Sequence, residues 1–231
     1  MSKAAPANAH SELALEPRFQ VKELVNALTH GFGLVLSVVG GIALFVCALS
    51  GGDAWRVAGC SVFATTLIAV YAVSTLSHSS LRPKLRRLFE RLDQGFIYLL
   101  IAGTFTPFAL AYLRSGWWWL LFGMIWAFAL CGCFFKILFS HRIKGVAVWT
   151  YVLLGWMPII AVSSLIELVP AVALWWMLIG GLCYTIGTAF LICDNKRFHF
   201  HAIWHLFVIA GSTCHFFPIL FFVAYSTGAP L

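Results

Sequence analysis

The chain has 231 residues, 61% of them hydrophobic and only 10% charged, with a mean hydropathy of +0.92. A soluble domain carries about 25% charged residues, so this composition excludes a free-standing soluble enzyme and makes lipid the solvent for most of the chain. The net charge of +7 has its simplest place in loops on one side of a membrane, and no nucleic-acid partner is expected.

Residues 1–18 are polar and small and read as a cytoplasmic tail. The remainder, 19–231, reads as a single membrane domain. No secretory signal is expected, because a charged stretch precedes the first apolar run without a convincing cleavage site. From Phe19 the apolar positions Val21, Leu24, Val25 and Leu28 recur at helical spacing, which predicts a short amphipathic helix lying on the inner membrane surface. A span needs about 20 apolar residues, and seven are expected, at 28–49, 57–77, 94–113, 117–139, 146–166, 171–193 and 203–226. The fold class is therefore an all-α, polytopic membrane protein of seven transmembrane helices with a short N-terminal interfacial helix. The first span is glycine-rich (Gly31, Gly33, Gly40, Gly41), which lets helices approach closely. Pro107 and Pro158 mark candidate kinks in the third and fifth spans. The seven cysteines fall in or beside apolar runs. They read as small buried hydrophobes, and their odd number argues against a disulfide framework.

Lysine and arginine set the orientation. With the N-terminus inside, the inner segments hold Lys3, Arg18, Lys22, Arg82, Lys84, Arg86, Arg87, Arg91, Lys136, Arg142, Lys144, Lys196 and Arg197. The outer loops hold only Arg56 and Arg114 of the fifteen basic residues. The positive-inside rule then places the N-terminus in the cytoplasm and the C-terminus outside. Trp55, Trp117, Trp118, Trp119, Trp175 and Trp176 form an outer aromatic belt. The location this implies is a multi-pass protein of a bacterial-type inner or plasma membrane.

This topology gathers polar residues at one depth near the inner face. Ser74 and His78 end the second span and Asp93 opens the third. His201 and His205 open the seventh, while Glu23, Asn26 and His30 stand at the entrance of the first. His201 and His205 are four residues apart and share a helix face, about 6 Å apart at Cβ, the spacing of a chelating pair. Histidine within a bilayer is costly and points to function. Three imidazoles and a water complete a tetrahedral zinc site, in which the water ionises near neutral pH. Asp93 could orient that water or take its proton, and Ser74, one turn before His78, could donate to an oxyanion. Each residue has a plainer reading too. His201 and His205 could be interfacial histidines, and His78 could cap helix carbonyls. Asp93 could cap the third span, and Ser74 could be a small packing residue. His215 lies about 15 Å deeper than His205, too deep to share the metal. His30 could be a fourth ligand or a hydrogen-bonding support. His141 and His199 read as loop residues and His10 as part of the tail.

Several of these residues carry a family resemblance. Glu23-x-x-Asn26-x-x-x-His30-Gly31 resembles the opening motif of the hemolysin III family, which is related to the progestin and adipoQ receptors, the adiponectin receptors among them. Ser74-Thr-Leu-Ser-His78 resembles the motif that ends the family's second helix, and Leu92-Asp93 the aspartate that opens the third. His201-Ala-Ile-Trp-His205, with His215 further on, resembles the seventh-helix motif. The resemblance implies seven helices with zinc near the cytoplasmic surface, held by His78, His201 and His205. It places Asp93 beside the zinc-bound water and Ser74 behind it. The wider superfamily includes alkaline ceramidases, so the resemblance implies hydrolysis of a lipid amide or ester, with a membrane lipid as substrate or ligand. The alternative is a receptor-like or membrane-sensing protein with structural zinc. The family name also carries the idea of a lytic pore, but there is no ring of intramembrane charge to line one. A retinal protein is excluded by the lack of lysine in 203–226.

Overall fold

The computed structural model describes residues 17–139, 146–194 and 199–225. The tail with His10, the segment carrying His141, Arg142 and Lys144, the pair Lys196 and Arg197, and residues 226–231 lie outside the described residues. In chain order the elements are α1 (Pro17–Ser50), α2 (Ala54–Ser79), α3 (Pro83–Tyr112), α4 (Trp118–Phe139), α5 (Val146–Trp156), a 3₁₀ turn (Met157–Ala161) and α6 (Val162–Leu168). They continue with α7 (Ala171–Ile192), α8 (Phe200–Pro218) and a π-helical segment (Ile219–Ala224). Among the described residues seven helical stretches are long and apolar enough to cross a membrane, with α5, the 3₁₀ turn and α6 together forming the fifth.

The burial pattern of α1 follows from its sequence. Asn26, His30, Gly33, Ser37, Gly41, Leu44 and Ala48 are buried and recur every three or four residues, so they form one stripe along the helix. Most are small or polar. The opposite face, with Leu28, Phe32, Val35, Val39 and Ile42, is open and apolar. A soluble helix turns its apolar face inward. Here the apolar face is outward, as a lipid solvent requires, and small residues make the contact. A Cβ on Gly33 would stand 2.6 Å from the Tyr71 ring, and one on Gly59 would stand 2.8 Å from the Cα of Pro107.

Two expectations are revised. The amphipathic stretch from Phe19 runs without a break into the first span as part of α1. The third helix starts at Pro83, not near residue 94. Pro83 sits in its first turn, where a missing N–H costs nothing. Arg86 and Glu90, four apart, pair at 2.9 Å and support the polar turns. The basic run that reads as a loop is therefore helix. Pro107 lies inside α3. Pro158 falls in the 3₁₀ turn that divides the fifth span, where its missing donor interrupts the α-helical ladder.

Turns close the remaining connections. Gly52 (φ 71°) and Gly116 (φ 57°) take left-handed conformations in the links leading to α2 and α4, which glycine accepts without strain. Asp53 caps α2 by accepting from the backbone N–H of Trp55 at 2.9 Å. α1 with α2, α2 with α3, and α7 with α8 form the closest pairs, whereas α5 and α6 touch their neighbours sparingly. Between these groups lies a cavity of about 1010 Å³.

Candidate metal centre

The alternation of helices brings the ends of α1, α2, α7 and α8 together with the start of α3. His78, in the last turn of α2, meets His201 and His205 from the first two turns of α8. One ring nitrogen from each of the three lies within 4.8 Å of the other two. Their ring centroids are 4.6 to 5.1 Å apart. Three convergent imidazoles of this kind could hold a metal ion.

Each imidazole is fixed through Nδ1. His78 Nδ1 is 2.8 Å from Glu23 Oε2, and Arg86 reaches the same oxygen at 2.9 Å. His201 Nδ1 is 3.2 Å from Asp194 Oδ2, while the other Asp194 oxygen accepts from Lys22 Nζ at 3.0 Å. His205 Nδ1 is 3.2 Å from Thr29 Oγ1. The Thr29 hydroxyl proton goes back to the carbonyls of Val25 and Asn26, both at 2.9 Å, so its oxygen accepts from the imidazole. With Nδ1 engaged in all three rings, Nε2 is the nitrogen each can offer a metal. Such outer partners are what orient metal-binding histidines and raise their basicity. Among the described residues the buried His78 Nε2 has no hydrogen-bond partner, which is costly unless a ligand takes it up. The donor set and this orphaned nitrogen both fit a divalent metal.

The two carboxylates behind the histidines differ in setting. Glu23 lies on the buried side of α1. Asp194 follows α7 in the connection to α8, and burial alone would raise its carboxyl. The hydrogen bonds from His201 and Lys22 outweigh that effect and hold it down at about 2, so it is ionised throughout the working range.

Asp93 and Ser74 sit together beside the histidines. The Ser74 hydroxyl donates to Asp93 Oδ2 at 3.1 Å. Both line the cavity, as do His30, His201 and His205. His30 stacks on His205 at 3.5 Å between centroids. Among the described residues neither of its nitrogens has a hydrogen-bond partner, nor do the side-chain atoms of Asn26. His215 stands apart from the trio. Its Nδ1 donates to the Gly211 carbonyl at 2.8 Å and its ring stacks on Tyr184. His199 is exposed at the start of α8. Sequence reasoning missed Thr29 and Asp194 altogether and left Glu23 without a task. The one available signal was that Glu23, Asn26 and His30 fall on one helical face.

Helices that face lipid on the outside, with a convergent histidine trio at one end, define an integral multi-pass membrane protein with a candidate metal centre. The chain belongs to the haemolysin III-related family, whose model matches residues 19–216. It is 40% identical over 206 residues to Hemolysin-3 of Bacillus cereus, covering 89% of this chain and 94% of the relative. Identity to the Hemolysin-3 homolog of Bacillus subtilis (strain 168) is 38% over 205 residues, with coverage of 88% and 96%. A weaker likeness reaches the human Monocyte to macrophage differentiation factor, at 28% over 229 residues, covering 95% of this chain and 90% of the relative. That likeness extends the relationship to the progestin and adipoQ receptors.

Proposed function

We propose that the protein is a zinc-dependent hydrolase of a lipid amide or ester, ceramidase-like in its chemistry and acting in membrane lipid homeostasis. The observation that carries this reading is a trio of Nδ1-anchored histidines, two of which, His201 and His205, line a largely apolar cavity together with the Ser74–Asp93 pair. At about 1010 Å³ that cavity reaches the upper end of the range for small-molecule sites, about 300–1,000 Å³. That volume could hold a lipid chain. The basic residues of the trio's end support a cytoplasmic position for the site under the positive-inside rule.

His78, His201 and His205 would hold the ion, and zinc suits three imidazoles with a position left open. Zinc held by these residues would supply Lewis acidity toward water and a scissile carbonyl. Asp93 accepts the proton of the attacking water as its oxygen bonds to the carbonyl carbon. It returns that proton to the nitrogen or oxygen that leaves when the C–N or C–O bond breaks. Ser74 spends its one hydroxyl proton on Asp93, so it acts as a positioning residue for the carboxylate. The apolar wall aligns the chain and keeps bulk water out.

Two measurements on detergent-purified protein test this reading. Elemental analysis should give about one zinc per chain, lost in His78→Ala, His201→Ala and His205→Ala. Turnover of a ceramide-like amide or ester should vanish in His205→Ala and in Asp93→Asn. Full metal occupancy with no turnover across a broad lipid panel would remove the hydrolase and favour structural zinc in a sensor or receptor-like protein. One observation supports that second reading: the trio joins α2 to α8 and is braced from α1 by Glu23 and Thr29. The names of the Bacillus relatives raise lysis, and dye release from liposomes tests it on the same sample.

A further inference from the structure

Lys136 lies in the last turn of α4. From the sequence it reads as a cation at the membrane edge, where a lysine ordinarily snorkels to water. In the structure it is only 8% exposed and lines the cavity. Its depth is fixed by its neighbours: a Cβ on Gly95 would stand 2.9 Å from Ile137 and 3.3 Å from the Cys133 carbonyl. That level is within one helical turn of Asp93.

Among the described residues Lys136 has no ion pair and no hydrogen bond, and the acids of this end are committed elsewhere. Glu23 serves His78 and Arg86, and Glu90 serves Arg86. Asp194 serves Lys22 and His201, and Asp93 accepts from Ser74. The hydroxyls on the facing helices are engaged too, Tyr98 with Thr150 and Tyr151 with the Gln94 carbonyl. A lysine turned inward among apolar helices without a counter-charge is costly. It lines the cavity, whose walls are largely apolar.

We propose that the cavity takes an anionic amphiphile, with Lys136 holding its carboxylate or phosphate head while the chain lies along the apolar wall. The proposal rests on the cavity being the lipid site of the hydrolase reading and adds a charge to that lipid. Binding does not require turnover, so the two ideas fail separately. Lys136 would set specificity and take no part in the chemistry.

The test is binding of oleate, oleyl phosphate, oleyl alcohol and inorganic phosphate to the purified full-length protein in neutral detergent at fixed ionic strength. Turnover of a chain-matched ester is followed in parallel. Oleate or oleyl phosphate should bind about tenfold or more tightly than the alcohol, the worth of one charge-assisted hydrogen bond. Lys136→Met should abolish that preference while alcohol binding persists, which also reports that the variant is folded. Lys136→Arg should retain it, and so should metal-depleted wild-type protein. Equal binding of the three amphiphiles would overturn the proposal, as would a preference that survives in Lys136→Met. Inorganic phosphate binding as tightly as oleyl phosphate would reduce the site to one for free anions and overturn the amphiphile.

Discussion

The imidazole rings of His30 and His205 lie face to face, with 3.5 Å between centroids and 25° between planes. Two stacked cations would repel, and His30 has no hydrogen-bond partner on either nitrogen. His30 therefore backs the His205 ring as a flat, neutral surface. His30→Ala should weaken metal binding by about tenfold, in the range for loss of a ligand-orienting partner. His30→Phe should restore most of it, since a ring without nitrogens still stacks. A competition titration with a chelator reads both. If His30→Phe behaves like His30→Ala, His30 is a ligand and not a support.

Glu23 and Asp194 hold two of the three ligand histidines. Glu23→Gln and Asp194→Asn should each lower metal affinity by about 10- to 100-fold while leaving all three ligands in place. The pH dependence separates the causes. Asp194 has a folded value of about 2, below the ordinary carboxylate value of about 3.9. Its stabilising contribution is complete above about pH 4 and is lost only as pH falls toward 2. Metal released between about pH 7 and 5 then reflects imidazole protonation. Asp194→Asn should lower occupancy at every pH, with release still falling between about pH 7 and 5.

Asp93 and Ser74 make opposite demands on an assay. Asp93→Asn should retain metal and lose turnover by about 100-fold or more, as expected when a general base is removed. Ser74→Ala frees Asp93 Oδ2 from its one hydroxyl contact, so its loss should be smaller and should fall on kcat more than on KM. Metal content measured on the same preparations distinguishes a damaged base from an empty site.

Gly180 is a stability test remote from the metal centre. A Cβ there would stand 2.3 Å from the His215 ring, and that ring is held by the Gly211 carbonyl. Gly180→Ala should destabilise the protein by about 1–3 kcal/mol, the usual cost of overpacking, visible as a lower Tm with unchanged metal content. An unchanged Tm would mean that His215 can turn into the cavity.

The fold was legible wherever hydropathy alone decides it. Seven apolar runs gave seven spans, because lipid leaves little choice of secondary structure. Helix ends were less legible. The basic run 82–91 is helical for local reasons, Pro83 at its start and the Arg86–Glu90 pair, which a search for apolar runs does not see. At the site, His78, His201 and His205 were readable because histidine is rare and costly in a bilayer. Thr29 and Asp194 were not: threonine is common in spans, and an aspartate after a helix looks like a loop residue. The inward turn of Lys136 was hidden for the same kind of reason. Its position predicts the membrane edge, and only packing against α3 reveals that it turns inward.

The last span is fastened at both ends. At one end its His201 and His205 are held by Asp194 and Thr29. At the other, Arg56 donates to the Val223 carbonyl at 2.9 Å, and the Tyr112 hydroxyl donates to the Phe222 carbonyl. Both carbonyls belong to the π-helical segment. α8 is thus a strut pinned at top and bottom, and sliding it along its axis breaks both fastenings together. The fifth span is tied to α3 through the Tyr98–Thr150 and Tyr151–Gln94 hydrogen bonds and is jointed beyond them at Met157–Ala161. Any change in the bore of the bundle would therefore fall at that joint and not along α8.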